Sequence, residues 1–196
     1  MFQTVSSATV ILPLLLLVAI LLPLLLVTRL IRLNTSQIVA LLAFIVYGFA
    51  VLDVTLFPMR VVPEALRRDS LIPSSINLTP FANIGEASFV LNIIMMIPLG
   101  FLLPCIAPKL ASLRNVSIAG FLASASIEGM QLFTLLTFGN RRIVDVDDLI
   151  ANTGGAMIGF AIWFALVGLA ASVVPDTEHE QEHEQEQRRH ASRPTW

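Results

Sequence analysis

The sequence predicts an all-α, polytopic membrane protein, a bundle of about five transmembrane helices followed by a disordered, charged C-terminal tail. Of its 196 residues, 56% are hydrophobic and only 13% are charged, and the mean hydropathy is +0.80. Several stretches reach about 20 apolar residues, the length that a helix needs to cross a bilayer core of about 30 Å. Because lipid offers no hydrogen bonds, such stretches must pair their backbone internally, which favours helices.

The composition also narrows the function classes. About 25% of residues are charged in ordinary soluble domains, so 13% argues against a soluble enzyme and a disordered chain. The net charge of −2 offers no basic field to a nucleic acid, and no nucleic-acid partner is expected. The single cysteine, Cys105, excludes an intrachain disulfide and a multi-cysteine metal site. The lipid bilayer is the first expected partner, and the sequence assigns no cofactor and no metal.

The predicted spans are residues 8–27, 38–57, 89–107, 116–138 and 149–174. The first has one polar residue, Thr9; because no Lys or Arg precedes it and it exceeds the apolar core of a signal peptide, we expect a retained span. Pro98 and Pro104 in the third span predict kinks. Residues 1–35 are expected to form an N-terminal transmembrane segment, and residues 36–174 a helical membrane domain.

Residues 175–196 differ sharply in composition from the rest. They contain the run EHEQEHEQEQRR, which cannot bury a core, so we expect an acidic, low-complexity, disordered tail. Residues 179–183 (HEQEH) formally match the zinc-protease pattern H-E-x-x-H. That pattern requires a buried helix and a third ligand, whereas here it arises from a repeated EHEQ unit, so no zinc site is expected.

The basic residues set the expected orientation. Placing the first and third connections and the tail in the cytoplasm leaves seven basic residues inside and five outside. The positive-inside rule therefore favours an extracytoplasmic N-terminus and a cytoplasmic C-terminus.

Polar side chains within and between the spans carry the functional prediction. An ionisable group at the centre of a membrane helix costs about 2.5–3.5 kcal/mol, so each one needs a partner or a role. In a five-span topology all of the candidates lie toward the same face, the extracytoplasmic one in the orientation above. The spacing of Asp145, Asp148 and Asn152 predicts one helix stripe, with Asp147 pointing elsewhere. The candidate site residues are Asp53, Asn77, Asn92, Glu128, Gln131, Arg142, Asp145, Asp148 and Asn152.

Two interpretations of these residues stay open. In one, the groups satisfy each other, with Asp53 or Glu128 pairing with Arg141 or Arg142 and Asn92 tying helices together. In the other, which we favour, they form a binding or catalytic cavity, because several acids on one face exceed what packing requires.

Two neighbouring patterns also have two interpretations each. Gly155 and Gly159 form a small-xxx-small pair, which predicts either a tight contact that positions Asn152 or ordinary bundle packing. Residues 77–81 have turn chemistry and an aromatic anchor, Phe81, and form either a segment that covers the polar groups or an exposed loop.

Four stretches, in order, resemble the VanZ-like family. Residues 77–81 (NLTPF) and 91–101 (LNIIMMIPLGF) are similar to its NLxPF … NxxxFxPLG part. Residues 126–133 (SIEGMQLF) resemble its S-x-x-E-x-x-Q helix at Glu128 and Gln131, with Ser126 one position closer to the glutamate than in that pattern. Residues 142–155 (RIVDVDDLIANTGG) resemble its R-x-x-D-x-x-D-x-x-x-N-x-x-G block.

The resemblance covers about residues 47–160, within the membrane domain, 36–174. It departs from the family pattern at Met96, where an aromatic is usual, and at Gly129, and neither departure removes a polar motif residue. The family is named for an accessory protein associated with resistance to the glycopeptide teicoplanin. The resemblance therefore implies a multi-pass protein of the bacterial plasma membrane whose motif positions are functional, without an assigned chemistry.

Three functions fit these observations. The favoured one is an accessory cell-envelope protein, not itself an enzyme, whose acidic cavity binds an envelope lipid or cell-wall precursor, with Arg142 as an anion contact. The second is an intramembrane enzyme acting on a lipid-linked envelope substrate through paired carboxylates or a bound divalent cation. No nucleophile–base pair supports it, because the three histidines lie in the tail. The third is a small transporter or proton-coupled channel.

Overall fold

A computed structural model describes residues 3–27, 33–62, 76–81, 86–139 and 144–173. Within these residues it has five long helices: α1 (Ser7–Val27), α2 (Thr35–Leu56), α3 (Glu86–Ile106), α4 (Leu113–Phe138) and α5 (Val146–Val173). All five are long and apolar enough to cross a membrane, which confirms the predicted all-α membrane bundle and its five spans. The predicted tail, 175–196, lies outside the described residues.

Polar caps explain why the helices begin earlier than the apolar stretches. Asn34 caps α2: its side chain accepts a hydrogen bond from the Gln37 N–H at 2.8 Å, and the Gln37 side chain accepts one from the Asn34 N–H at 3.0 Å. Ser112 caps α4 through the Asn115 N–H at 3.2 Å. α4 ends at Phe138 and is capped by Gly139, whose φ of 69° is a left-handed conformation that glycine adopts without steric cost.

The described part of the chain also has four short strands, which the sequence did not predict and which gather at one end of the bundle. β1 (Gln3–Val5) pairs antiparallel with β2 (Met59–Val61), and β3 (Ile76–Asn77) pairs parallel with β4 (Val144–Asp145). The Val62 N–H, next to β2, donates to the Phe138 carbonyl at 2.8 Å and so ties the ends of α2 and α4 together. We call this the polar end; α2 and α4 finish there, and α1, α3 and α5 begin there.

Small residues let three helices pack closely. A Cβ on Gly155 would meet the backbone carbonyl of Ile93, and one on Gly159 would meet that of Ile97, so α5 and α3 touch backbone to backbone. On its other side, α5 presents the fully buried Ala156 to Gly120 of α4. The tight contact predicted from the Gly155–Gly159 pair is therefore present.

The buried apolar core lies beside this contact. It consists of Met96, Leu99, Val116 and Ala156, with Phe44 and Tyr47 of α2 packed against it. By its contacts the chain divides into two units, Met1–Trp163 and Phe164–Trp196. The first contains the strands, α1 to α4, the core and the beginning of α5; the described residues of the second, 164–173, are helical.

Candidate functional site

Asp145 is the central residue of the polar end. Both of its carboxylate oxygens accept hydrogen bonds from the Asn77 side-chain amide, at 3.1 and 3.2 Å, across the β3–β4 pair. Its Oδ1 also accepts the Asp147 N–H at 2.9 Å, which is the usual way that an aspartate caps the first turn of a helix. Its own N–H donates to Glu128 Oε2 at 3.2 Å. One residue thus joins β3, α4 and the start of α5.

Asp147 is buried, with 4% of its surface exposed. Its Oδ1 accepts the Phe81 N–H at 2.9 Å, while its Oδ2 is buried without a hydrogen-bond partner among the described residues. Phe81 has a φ of 61°, a left-handed conformation that is costly for a bulky residue, and its ring contacts that of Phe89 at a centroid distance of 6.5 Å. Residues 76–81 therefore form a segment that covers the start of α5.

Asp148 and Gln131 connect the cluster to the remaining helices. The Asn92 side-chain amide donates to Asp148 Oδ1 at 2.6 Å, which links α3 to α5. The buried Gln131 side chain donates to the Thr55 carbonyl at 3.2 Å, which links α4 to the last turn of α2.

A second polar pair lies deeper along α5. The Asn152 side-chain amide donates to Ser124 Oγ at 2.9 Å; Asn152 is 1% exposed and Ser124 is fully buried. The Asn152 Oδ1 is buried without a partner within the described part of the chain. Asn152 pairs with Ser124, and Ala156, four residues later on α5, contacts Gly120, four residues earlier on α4. The two helices therefore run antiparallel.

Among the residues that the structure describes, the cluster is rich in hydrogen-bond acceptors and poor in donors. Four carboxylates, those of Glu128, Asp145, Asp147 and Asp148, come from two helices and one strand. Their described partners are amides and backbone N–H groups, which do not neutralise charge. Among the described residues, no three His, Cys, Asp or Glu side chains are arranged to hold a metal ion. The arrangement suits a ligand that brings hydroxyl, amine or ammonium groups.

Five of the predicted site residues come together here: Asn77, Asn92, Glu128, Asp145 and Asp148. Gln131 and Asn152 lie on the same helices but donate to Thr55 and Ser124 instead. Asp53 is exposed on α2 and lines a groove against α1. Arg142, like Arg141, lies outside the described residues.

Three participants were not predicted: Asp147, Ser124 and the Phe81 N–H. Asp147 was expected to point away from the Asp145–Asp148–Asn152 stripe. Its side chain does have a different partner, the Phe81 N–H. Because residues 76–81 cover the start of α5, Asp147 is nevertheless part of the cluster. Ser124 stands four residues before Glu128, a helical spacing that could have placed it on the same face.

The sequence model of the VanZ/LLP1 family matches residues 44–168. No curated protein and no solved structure matches the chain significantly. The matched residues run from the middle of α2 into α5 and include the whole cluster described above. Because the match covers more than half of the sequence, the chain belongs to the VanZ/LLP1 family.

Proposed function

We propose that this protein is an accessory cell-envelope protein of the bacterial plasma membrane whose polar end binds the headgroup of an envelope lipid or lipid-linked cell-wall precursor. The observation that carries the proposal is the buried Asp147 Oδ2, which has no described partner within a cluster of four carboxylates. A buried acceptor without a donor costs free energy, so a site that retains one is suited to a donor supplied by a ligand or water.

The ligand class follows from the chemistry of the cluster. Carboxylates and amide oxygens accept from sugar hydroxyls and from amines, both of which are frequent in envelope headgroups. In the expected orientation the cluster faces the extracytoplasmic side, where such headgroups are displayed. Arg142 adjoins this region in sequence, and its guanidinium would serve as the contact for a phosphate on the same ligand.

The proposal is tested by complementation. A strain that lacks the gene is supplied with the wild type, Glu128→Gln or Asp147→Asn, and its envelope phenotype, including glycopeptide susceptibility, is measured. Both substitutions keep the size of the side chain and remove its charge, so we expect normal insertion and loss of complementation. The matched control is Ser117→Ala, which removes a hydroxyl of α4 outside the four motif stretches whose described hydrogen bond stays within its own helix, to the Leu113 carbonyl.

A direct measurement separates binding from catalysis. Purified protein in lipid nanodiscs is titrated with a lipid-linked cell-wall precursor, and the precursor is then analysed for chemical change. Saturable binding that Asp147→Asn weakens, with the precursor recovered intact, supports the accessory function. Turnover of the precursor would favour the intramembrane enzyme instead, and binding that is equal in wild type and both variants would refute the proposed site.

A further inference from the structure

A groove lies between α1 and α2 and opens at the polar end. It is open and has a volume of about 340 Å³, and the described residues that line it all belong to these two helices. The acidic cluster, in contrast, is built from β3, β4, α3, α4 and α5. The groove is therefore chemically separate from the site proposed above.

Polarity changes along the groove in one direction. α1 begins at Ser7 and α2 ends at Leu56, so the side chains of Ser7 and Asp53 lie at the mouth, near the polar end. One helical turn further into the bundle, the walls are Ile11 and Leu12 of α1 and Phe49 and Ala50 of α2. A mouth with a carboxylate and a hydroxyl above an apolar channel matches an amphiphile lying along the membrane normal.

The exposure of Asp53 identifies the charge of that amphiphile. Asp53 is exposed although it lies within a segment that spans the membrane. It is three residues from the end of α2, or about 4.5 Å along the helix axis, and so close to the headgroup level of the bilayer. At that level a lipid ammonium group is the charge complementary to the carboxylate.

We propose that the α1–α2 groove binds a membrane aminophospholipid, with its ammonium headgroup on Asp53 and an acyl chain against Ile11, Leu12, Phe49 and Ala50. Phosphatidylethanolamine has this chemistry: an ammonium group that donates hydrogen bonds and two chains that pack in apolar grooves. An anionic lipid such as phosphatidylglycerol has the same chains and would be repelled by the carboxylate.

The test uses the full chain in vesicles that contain equal amounts of phosphatidylethanolamine and phosphatidylglycerol with identical acyl chains. Native mass spectrometry of the released protein gives the ratio of the two lipids bound. The variants are Asp53→Asn, which removes the charge, Asp53→Glu, which retains it, and Ala50→Phe, which fills the channel. Val54→Phe is the matched control, because Val54 is 66% exposed on the same turn of α2 and does not line the groove.

We expect the wild type, Asp53→Glu and Val54→Phe to prefer phosphatidylethanolamine. Asp53→Asn should lower the preference by about fivefold, the size expected for one solvent-accessible ion pair. Ala50→Phe should lower the binding of both lipids, and Asp53→Asn keeps the test decisive if Ala50→Phe does not fold. Equal binding of the two lipids by the wild type, or a preference that Asp53→Asn leaves unchanged, would overturn the proposal. So would a dimer without bound lipid, since a second copy would then occupy the groove.

Discussion

Asn92 and Asp148 are joined by a hydrogen bond of 2.6 Å that links α3 to α5 at the polar end. The two helices run parallel, and the same pair of helices touches backbone to backbone at Ile93–Gly155 and Ile97–Gly159. The hydrogen bond thus lies where the close helix contact opens toward the acidic cluster. It fixes the carboxylate of Asp148 at the same level as the other acids.

The first prediction concerns the energy of this bond. Replacing Asn92 by Leu removes the donor but keeps a side chain of similar size, so we expect a loss of about 0.6–1.7 kcal/mol of unfolding free energy, as for other interhelical bonds in membranes. Unfolding in a detergent titration measures it. A double-mutant cycle with Asp148→Ala, which removes the acceptor, isolates the pair, and a coupling energy of zero would show that the bond does not contribute to stability.

The second prediction concerns the cap of α5. Asp145→Ala removes the acceptor of the Asp147 N–H and of the Asn77 amide, whereas Asp145→Asn retains an acceptor for the helix cap. Loss of the cap alone costs about 1 kcal/mol. Hydrogen–deuterium exchange of the peptide containing Asp147 should therefore accelerate in Asp145→Ala and change less in Asp145→Asn. Equal exchange in the two variants would mean that Asp145 does not cap the helix.

The spans were predictable and the strands were not, for one physical reason. The length of an apolar stretch is enough to predict a membrane helix, and all five helices lie within a few residues of their expected positions. β3 and β4 are two residues each and are held by partners more than 60 positions apart in sequence, such as Asn77 and Asp145. No local pattern encodes such a pair.

The candidate site likewise contains residues that the sequence predicted and residues that only the packed structure places there. Helical spacing and topology indicated that Glu128, Asp148 and Asn92 would share one end of the bundle, and the structure brings them together. Asp53 satisfies the same two criteria and faces α1 instead, because its direction around the helix axis depends on which neighbour packs there. Asp147 enters the site only through the backbone of Phe81, a contact that side-chain patterns do not report.

The third prediction tests the close contact of α3 and α5. Gly155→Ala would place a Cβ against the carbonyl of Ile93, so the helices must separate, and overpacking of this kind costs about 1–3 kcal/mol. Gly154→Ala is the matched control, since a Cβ there would meet nothing within 4 Å. We expect a lower melting temperature and a smaller folded yield for Gly155→Ala only. Similar losses for both substitutions would point to a general effect of removing glycine.

The fourth prediction concerns the placement of the polar end in the membrane. After replacement of the single cysteine by Cys105→Ala, cysteines are introduced one at a time at Thr4, Leu78 and Lys109, all exposed positions. Thr4 and Leu78 lie at the polar end, whereas Lys109 lies between α3 and α4 at the opposite end. A membrane-impermeant maleimide should therefore label Thr4→Cys and Leu78→Cys in intact cells, and Lys109→Cys only after permeabilisation.

The three cysteine positions separate two claims. The shared labelling of Thr4→Cys and Leu78→Cys follows from the two spans between them, and the opposite labelling of Lys109→Cys follows from the single span α3 between it and Leu78. Both hold in either orientation. Which of the two sides is labelled in intact cells depends on the orientation of the chain. The orientation follows from an excess of basic residues on one side, seven against five, which is a smaller physical effect than the number of spans. Labelling of Lys109→Cys alone in intact cells would invert the orientation and place the acidic cluster, with its proposed ligand, at the cytoplasmic face. Labelling of Leu78→Cys and Lys109→Cys from the same side would contradict the five-span topology itself.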